Sequence, residues 1–294
     1  MKTEKNILIA FLLNLSFSVF ELLGGLFTNS IAIMSDGIHD FGDSVSIGLS
    51  YFLEKKSKQK PHNNYTFGYT RYSILGAFIT NSILIIGSAI VIINAIDRII
   101  NPVNINYDGM IILAALGVVV NFLAAYYTKG GHSLNQKAVN LHMLEDVLGW
   151  SVVLVGAIAI KFTEITIIDP ILSICVAIFI LIHAMKAFKF IIDIFLEKTP
   201  HGIKIEELQK HLQEIENVKD VHHIHIWSMD GFNNYATMHI VTDLKDTKLL
   251  KNTIKEELKE HGIGHVTLEF EEMGYECDEK ECKIEEPRYH AHHH

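Results

Sequence analysis

Six long apolar runs fill the first two hundred residues of the chain, at 6–27, 31–53, 72–99, 108–128, 138–161 and 168–192. A helix crosses a bilayer core with about 20 mostly apolar residues, and each run is long enough. The breaks between them are polar or turn-like: Thr28-Asn29-Ser30, Glu54 to Arg71, Asn101-Pro102, Lys129-Gly130-Gly131, and Thr163 to Asp169-Pro170. The pattern predicts an α-helical transmembrane bundle of six helices over residues 1–200. The first run lacks a small-residue cleavage site, so it reads as a spanning helix rather than a leader.

After residue 200 the periodicity changes. Ile203, Leu208, Leu212 and Ile215 recur at helical spacing over 203–216. Residues 218–229 and 233–243 read as strands joined at Asp230-Gly231, a hairpin signal. A second amphipathic helix follows over 247–260, then a strand over 265–271. The order α-β-β-α-β predicts a C-terminal α/β ferredoxin-like domain over 201–274. Residues 275–294 read as an acidic flexible tail, whose final His292-His293-His294 is set aside.

Charge divides the chain at the same place. Residues 1–200 hold 14 acidic and 14 basic side chains, whereas residues 201–294 hold 20 and 11 and supply the whole net charge of −9. Twelve of the 17 histidines also lie in the second part. An acidic domain argues against nucleic acid as a partner and favours cations. Positive charge orients the helices: twelve Lys and Arg, from Lys2 and Lys5 through Lys55, Lys56 and Arg71 to Lys198, fall on the side of the termini, against Arg98 and Lys161 opposite. The positive-inside rule then places both termini in the cytoplasm, with the cell (inner) membrane as the expected location. Three cysteines make no disulfide framework, and Cys175 reads as a buried packing residue.

Ionisable residues inside apolar helices are costly and mark functional sites. The second helix carries Asp36, His39, Asp40 and Asp43; the fifth carries His142, Glu145 and Asp146. Both contain His-x-x-x-Asp, and residues four apart stack on one helix face. Two such faces, His39/Asp43 and His142/Asp146, compose a four-ligand shell of two nitrogens and two oxygens. That shell suits Zn²⁺, and its two carboxylates cancel the ion's charge; Mg²⁺ and Ca²⁺ prefer oxygen alone. Asp36, Asp40 and Glu21 are candidates for capping, exit-path or orienting roles. Glu145 lies about 100° from Asp146 around the helix and is not counted as a ligand. His183 reads as a packed or hydrogen-bonded histidine.

These residues resemble the cation diffusion facilitators, over nearly the whole chain to about residue 272. The resemblance extends to Asn29-Ser30-Ile31-Ala32, Phe67-Gly68-Tyr69-Thr70-Arg71, Asp169-Pro170, Val221-His222-His223-Ile224-His225-Ile226-Trp227 and His265-Val266-Thr267-Leu268-Glu269. Paired His/Asp ligands resemble the zinc-type branch, since manganese-type members tend to carry aspartates there. The resemblance implies a homodimer that exchanges divalent metal for protons by alternating access. It also implies metal sites outside the membrane, with Zn²⁺ as a regulatory ligand as well as the transported ion. In the cytoplasmic loop between the second and third helices, His62 to Tyr69, tyrosines stand where histidines are expected, so a loop site is not predicted. In the tail domain the candidates are His222, His239, Glu269, Glu271 and Cys277. Strand alternation leaves their convergence open, because His222 shares parity with apolar Ile224 and Ile226 while His239 opposes Met238 and Ile240. The chain is not read as an enzyme and no nucleotide is expected: Walker A and His-Glu-x-x-His are both absent. A membrane metal sensor and a membrane metalloenzyme remain the alternatives to a transporter.

Overall fold

A computed structural model describes residues 2–28, 31–101, 107–131, 133–163 and 167–274 of the 294-residue chain. It divides into two compact units, Met1–Ile192 and Asp193–His294. The proposed tail over 275–294, Cys277 included, lies outside the described residues.

The first unit is built from α1 (Lys2–Thr28), α2 (Ile31–Ser57), α3 (Arg71–Ile100), α4 (Tyr107–Thr128), α5 (Leu134–Thr163) and α6 (Ile168–Phe195). Among the described residues, five of the six are long and apolar enough to cross a membrane; α2 falls short. Its 27 residues span about 40 Å, so length is not what it lacks. Besides Lys55 and Lys56 in its last turn, it carries Asp36, Asp40, Asp43 and Glu54. Most helix ends lie within two residues of the apolar runs, but the starts of α1 and α5 and the ends of α2 and α6 run three or four residues past them. α5, for example, starts at Leu134 and not near 138, because buried Asn135 and Gln136 continue the helix without being apolar.

The unit is apolar outside and buries many polar side chains within. Phe20, Phe52, Ile86, Ile93, Ile112 and Phe122 face outward, while Asn14, Glu21, Ser46, Ser50, Glu54, Thr80, Asn121 and Asn135 are buried. Water cannot reward that arrangement, whereas hydrocarbon around the bundle can. Cys175 is exposed on α6 and is not the buried packing residue the sequence suggests; an apolar outer surface leaves a small hydrophobe no reason to turn inward.

Helices α1, α2, α4 and α5 pack around a common interior, with α3 against α2 and α5. Ile7, Ala10, Ile47, Ala124, Ala125, Val139 and Met143 form its apolar centre. At the α4–α5 contact Gly117 admits the Trp150 ring so closely that an added Cβ would lie 2.5 Å from it. The same ring meets Phe17 of α1 edge-on at 5.6 Å between centroids. Hydrogen bonds fix the helix register. Asn135 Nδ2 donates to the Ser50 carbonyl at 2.7 Å, and the Ser50 and Thr80 hydroxyls are 2.6 Å apart. Ser73 Oγ donates to Glu54 at 2.7 Å, and Gln136 and Asn140 donate to backbone carbonyls of α4.

The second unit contains α7 (Ile205–Gln213), β1 (Asp220–Ser228), β2 (Asn234–Val241), α8 (Lys248–Glu260) and β3 (Ile263–Glu271). The sheet order is β1-β2-β3; β1 and β2 are antiparallel, β2 and β3 parallel. The crossover that parallel strands require is α8. At the hairpin, Asp230 Oδ1 accepts from the Phe232 and Asn233 amides, while Gly231 takes φ 85°. Leu208 and Leu212 from α7, and Leu250, Ile254 and Leu258 from α8, cover Val221, Ile226, Ala236, Met238 and Ile240 of the sheet. The opposite face of the sheet is left for polar side chains.

Candidate metal centres

Halfway along α2 and α5, Asp43, His142 and Asp146 converge, with one ligand atom from each lying within 4.8 Å of the others. His142 Nε2 is 3.7 Å from Asp43 Oδ1. His142 is 4% exposed, and among the described residues neither of its ring nitrogens makes a hydrogen bond. A buried ring nitrogen without a partner costs about 1–3 kcal/mol, which a bound cation would relieve. The backbone of His39 stands on α2 one turn before Asp43; its side chain lies outside those described, as does that of Asp36.

The register comes from residues that pattern reading passed over. Asn135 bonds to Ser50. Ser50 lies seven residues after Asp43, and Asn135 seven before His142. On two antiparallel helices, one contact therefore fixes the other about 10.5 Å away, two turns along. The signal was available as polar residues interrupting apolar windows at two-turn spacing from the His and Asp. Glu145, turned away from Asp146, shares the helix face of His142 three residues before it. Ser88 Oγ on α3 donates to Glu145 Oε1 at 3.0 Å, and Glu145 Oε2 is 3.9 Å from His142 Nδ1. Glu21 is fully buried on α1, and the Asp40 carbonyl accepts from Asn14 Nδ2 at 3.5 Å. His183 bonds through Nδ1 to the Phe179 carbonyl of its own helix.

In the loop between α2 and α3, His62 Nε2 is hydrogen-bonded to the Tyr69 hydroxyl. Tyr65 stacks on Tyr69 at 4.4 Å, and the Lys56 ammonium lies 4.3 Å from the Tyr72 ring centre. Aromatic packing occupies the lone histidine of this loop.

The C-terminal unit brings His222, His239 and Glu271 together on the open face of the sheet. A bulge resolves the parity conflict. His222 pairs with His239, but His225 pairs with Thr237, so His223 and Ile224 together face one residue. His223 takes φ 53° to make room. Val221 and Ile226 can then both enter the core while His222 turns to the opposite face. Glu271 bridges the two rings, with Oε2 3.3 Å from His222 Nε2 and Oε1 2.6 Å from His239 Nδ1. Glu269 is paired in register with His239 and reaches its Nε2 at 3.4 Å, but its side chain is 69% exposed. The buried ring nitrogens of His222 make no hydrogen bond among the described residues, so the donor set fits a borderline cation.

Bridging and flanking carboxylates should behave differently. Glu271→Gln is expected to weaken zinc binding by this domain at least about tenfold more than Glu269→Gln, because the first removes the charge that both rings share and the second an outer partner. Zinc titration of the two variants checks this; equal losses would mean that both carboxylates ligate.

Two family models match the chain: a cation efflux transmembrane domain over residues 7–196 and the cytoplasmic domain of cation efflux proteins over residues 200–273. Similar curated proteins include a cadmium, cobalt and zinc/H(+)-K(+) antiporter of Bacillus subtilis, 33% identical over 99% of this chain and 97% of the relative. The zinc transporter ZitB of Pectobacterium atrosepticum is 32% identical over 98% and 91%. The metal cation efflux system protein CzcD of Cupriavidus metallidurans is 30% identical over 91% and 86%.

Proposed function

The chain belongs to the cation efflux family, the cation diffusion facilitators, and to their zinc-type branch, and from that premise we propose that His39, Asp43, His142 and Asp146 carry zinc, or a similar divalent transition metal, out of the cytoplasm in exchange for protons. It is an integral membrane transporter and not an enzyme. The observation that carries the site assignment is the convergence of Asp43, His142 and Asp146 inside a bundle whose outer surface is apolar.

Helix α2 is the sixth span in this reading. It packs between α1 and α3, both apolar enough to cross, and buries Asp43, Ser46, Ser50 and Glu54. Six spans put both termini on one side, and the distribution of Lys and Arg makes that side the cytoplasm of the cell membrane. We divide the chain into a transport domain over 1–200, a ferredoxin-like regulatory domain over 201–274 and an acidic tail over 275–294. The two regulatory domains of a homodimer repel one another through their acidic charge. Zinc on His222, His239 and Glu271, with Glu269 flanking, offsets that charge and draws them together.

The chemistry follows from the donors. An imidazole ligates metal through the lone pair that a proton would take, so protons and zinc compete for the same atoms. Facing the cytoplasm, the site loads zinc and gives up protons; facing outward, it takes protons and lets zinc go. Two carboxylates neutralise the dication while it is inside, where an uncompensated charge is costly.

Zinc entry into proteoliposomes under an imposed pH gradient tests the reading. Uphill zinc accumulation that collapses with the gradient is expected. Zinc binding without movement would instead indicate a sensor, and hydrolysis of a membrane peptide a metalloenzyme. Because the name of the Bacillus relative includes K⁺ beside H⁺, the assay is run with and without potassium.

A further inference from the structure

On the helical side of the C-terminal domain, across the core from His222, His239 and Glu271, a second group of ligating side chains meets. His211 comes from the last turn of α7; Glu257 and His261 come from the end of α8, one turn apart. His211 Nδ1 lies 3.1 Å from His261 Nε2, and the same Nε2 lies 3.3 Å from Glu257 Oε1. One atom from each of the three falls within 4.8 Å of the others.

Hydrogen bonding alone does not account for this arrangement. The Glu257 carboxylate and His211 Nδ1 both meet the single Nε2 of His261. As donor or as acceptor, that nitrogen makes a good hydrogen bond with only one of them. A cation would satisfy all three at once, and the spacings suit one. Zn–N bonds of about 2.0–2.1 Å at tetrahedral angles put neighbouring donors about 3.3 Å apart. Two imidazoles and a carboxylate select Zn²⁺ or a similar borderline ion over Mg²⁺ and Ca²⁺.

We propose that His211, Glu257 and His261 form a metal site of the C-terminal domain, separate from the one on the open face of its sheet, that takes Zn²⁺ through three protein ligands and leaves its fourth position to solvent. The site joins the ends of two helices beyond the core that they share through Leu208, Leu212, Ile254 and Leu258. His211 and His261 are 50 residues apart in sequence, so one ion would tie the first helix of the domain to its last. The partly exposed position lets the clamp follow the free metal concentration, because no core residue must move for the ion to enter. The proposal does not depend on the transport reading, since its test reads occupancy and not flux.

Zinc bound per chain at saturation is measured by equilibrium dialysis on the full-length protein and on its His211→Gln and His261→Gln variants. The histidines near the C-terminus are common to all three chains and cancel in the comparison. Each variant is expected to bind one equivalent less, and hydrogen exchange should show zinc protecting residues 205–213 and 255–262 in the parent alone. His211 is exposed, so its replacement leaves the core of the domain untouched and a loss there reports ligation. Unchanged stoichiometry in either variant, or the same zinc-dependent protection in parent and variants, would overturn the proposal.

Discussion

Replacing Asp146 or Asp43 with Asn is expected to lower zinc flux by about 10²- to 10³-fold. The substitution keeps the shape of the side chain and removes one negative charge. Zinc then binds through one ligand carboxylate instead of two. Leaving a buried charge without its partner costs about 3–5 kcal/mol, and about 1.4 kcal/mol corresponds to tenfold in an equilibrium constant. The bundle itself should survive, because neither carboxylate belongs to the apolar centre around Ile47 and Met143 or to the Asn135–Ser50 link. Flux in proteoliposomes, beside thermal melting in detergent, separates loss of the site from loss of the fold. Wild-type flux in both variants would remove Asp43 and Asp146 from the transport site.

Replacing His142 or His39 with Asp is expected to change which ions are carried more than how fast they move. The substitution exchanges an imidazole nitrogen for a harder oxygen on the same helix face and adds a negative charge. Zinc accepts carboxylate ligands and should still bind. Cadmium and manganese should gain relative to zinc, by roughly tenfold if each borderline donor contributes about 1.4 kcal/mol of preference. The ratio of zinc to cadmium and manganese transport, measured in wild type and in both single variants, is the readout. Unchanged ratios with transport intact would place selectivity in helix packing or the entry path.

Much of this architecture could be read along the chain, for reasons that differ by element. The apolar helices announce themselves because hydrocarbon demands about 20 residues in a row. Their ends do not, because buried polar residues such as Asn135 and Gln136 carry α5 past its apolar run. The same polarity takes α2 below the apolar threshold: the residues that make it functional also make it a poor candidate span. The duplicated His-x-x-x-Asp stood out because helical periodicity places both partners on one face. The sheet face was harder. Alternation from Ile224 and Ile226 would put His222 on the core face with them, and the bulge at His223 turns it to the other face with no glycine to mark it. Meetings between distant segments left little local trace. Asn135 and Ser50 show in sequence only as polar breaks two turns from the His and Asp, and His211 and His261 carry no mark of each other at all, because both contacts arise from tertiary packing.

Reciprocal coupling tests the antiport claim most directly. Proteoliposomes are prepared with equal pH on both sides and a pH-sensitive dye inside, and zinc is added outside. Zinc entering through the site must displace protons outward, so the interior should become more alkaline as zinc accumulates, in step with the amount taken up. Vesicles carrying Asp146→Asn should show neither change. Zinc entry through the wild-type protein with no movement of internal pH, in the presence and absence of potassium, would contradict proton exchange at this site.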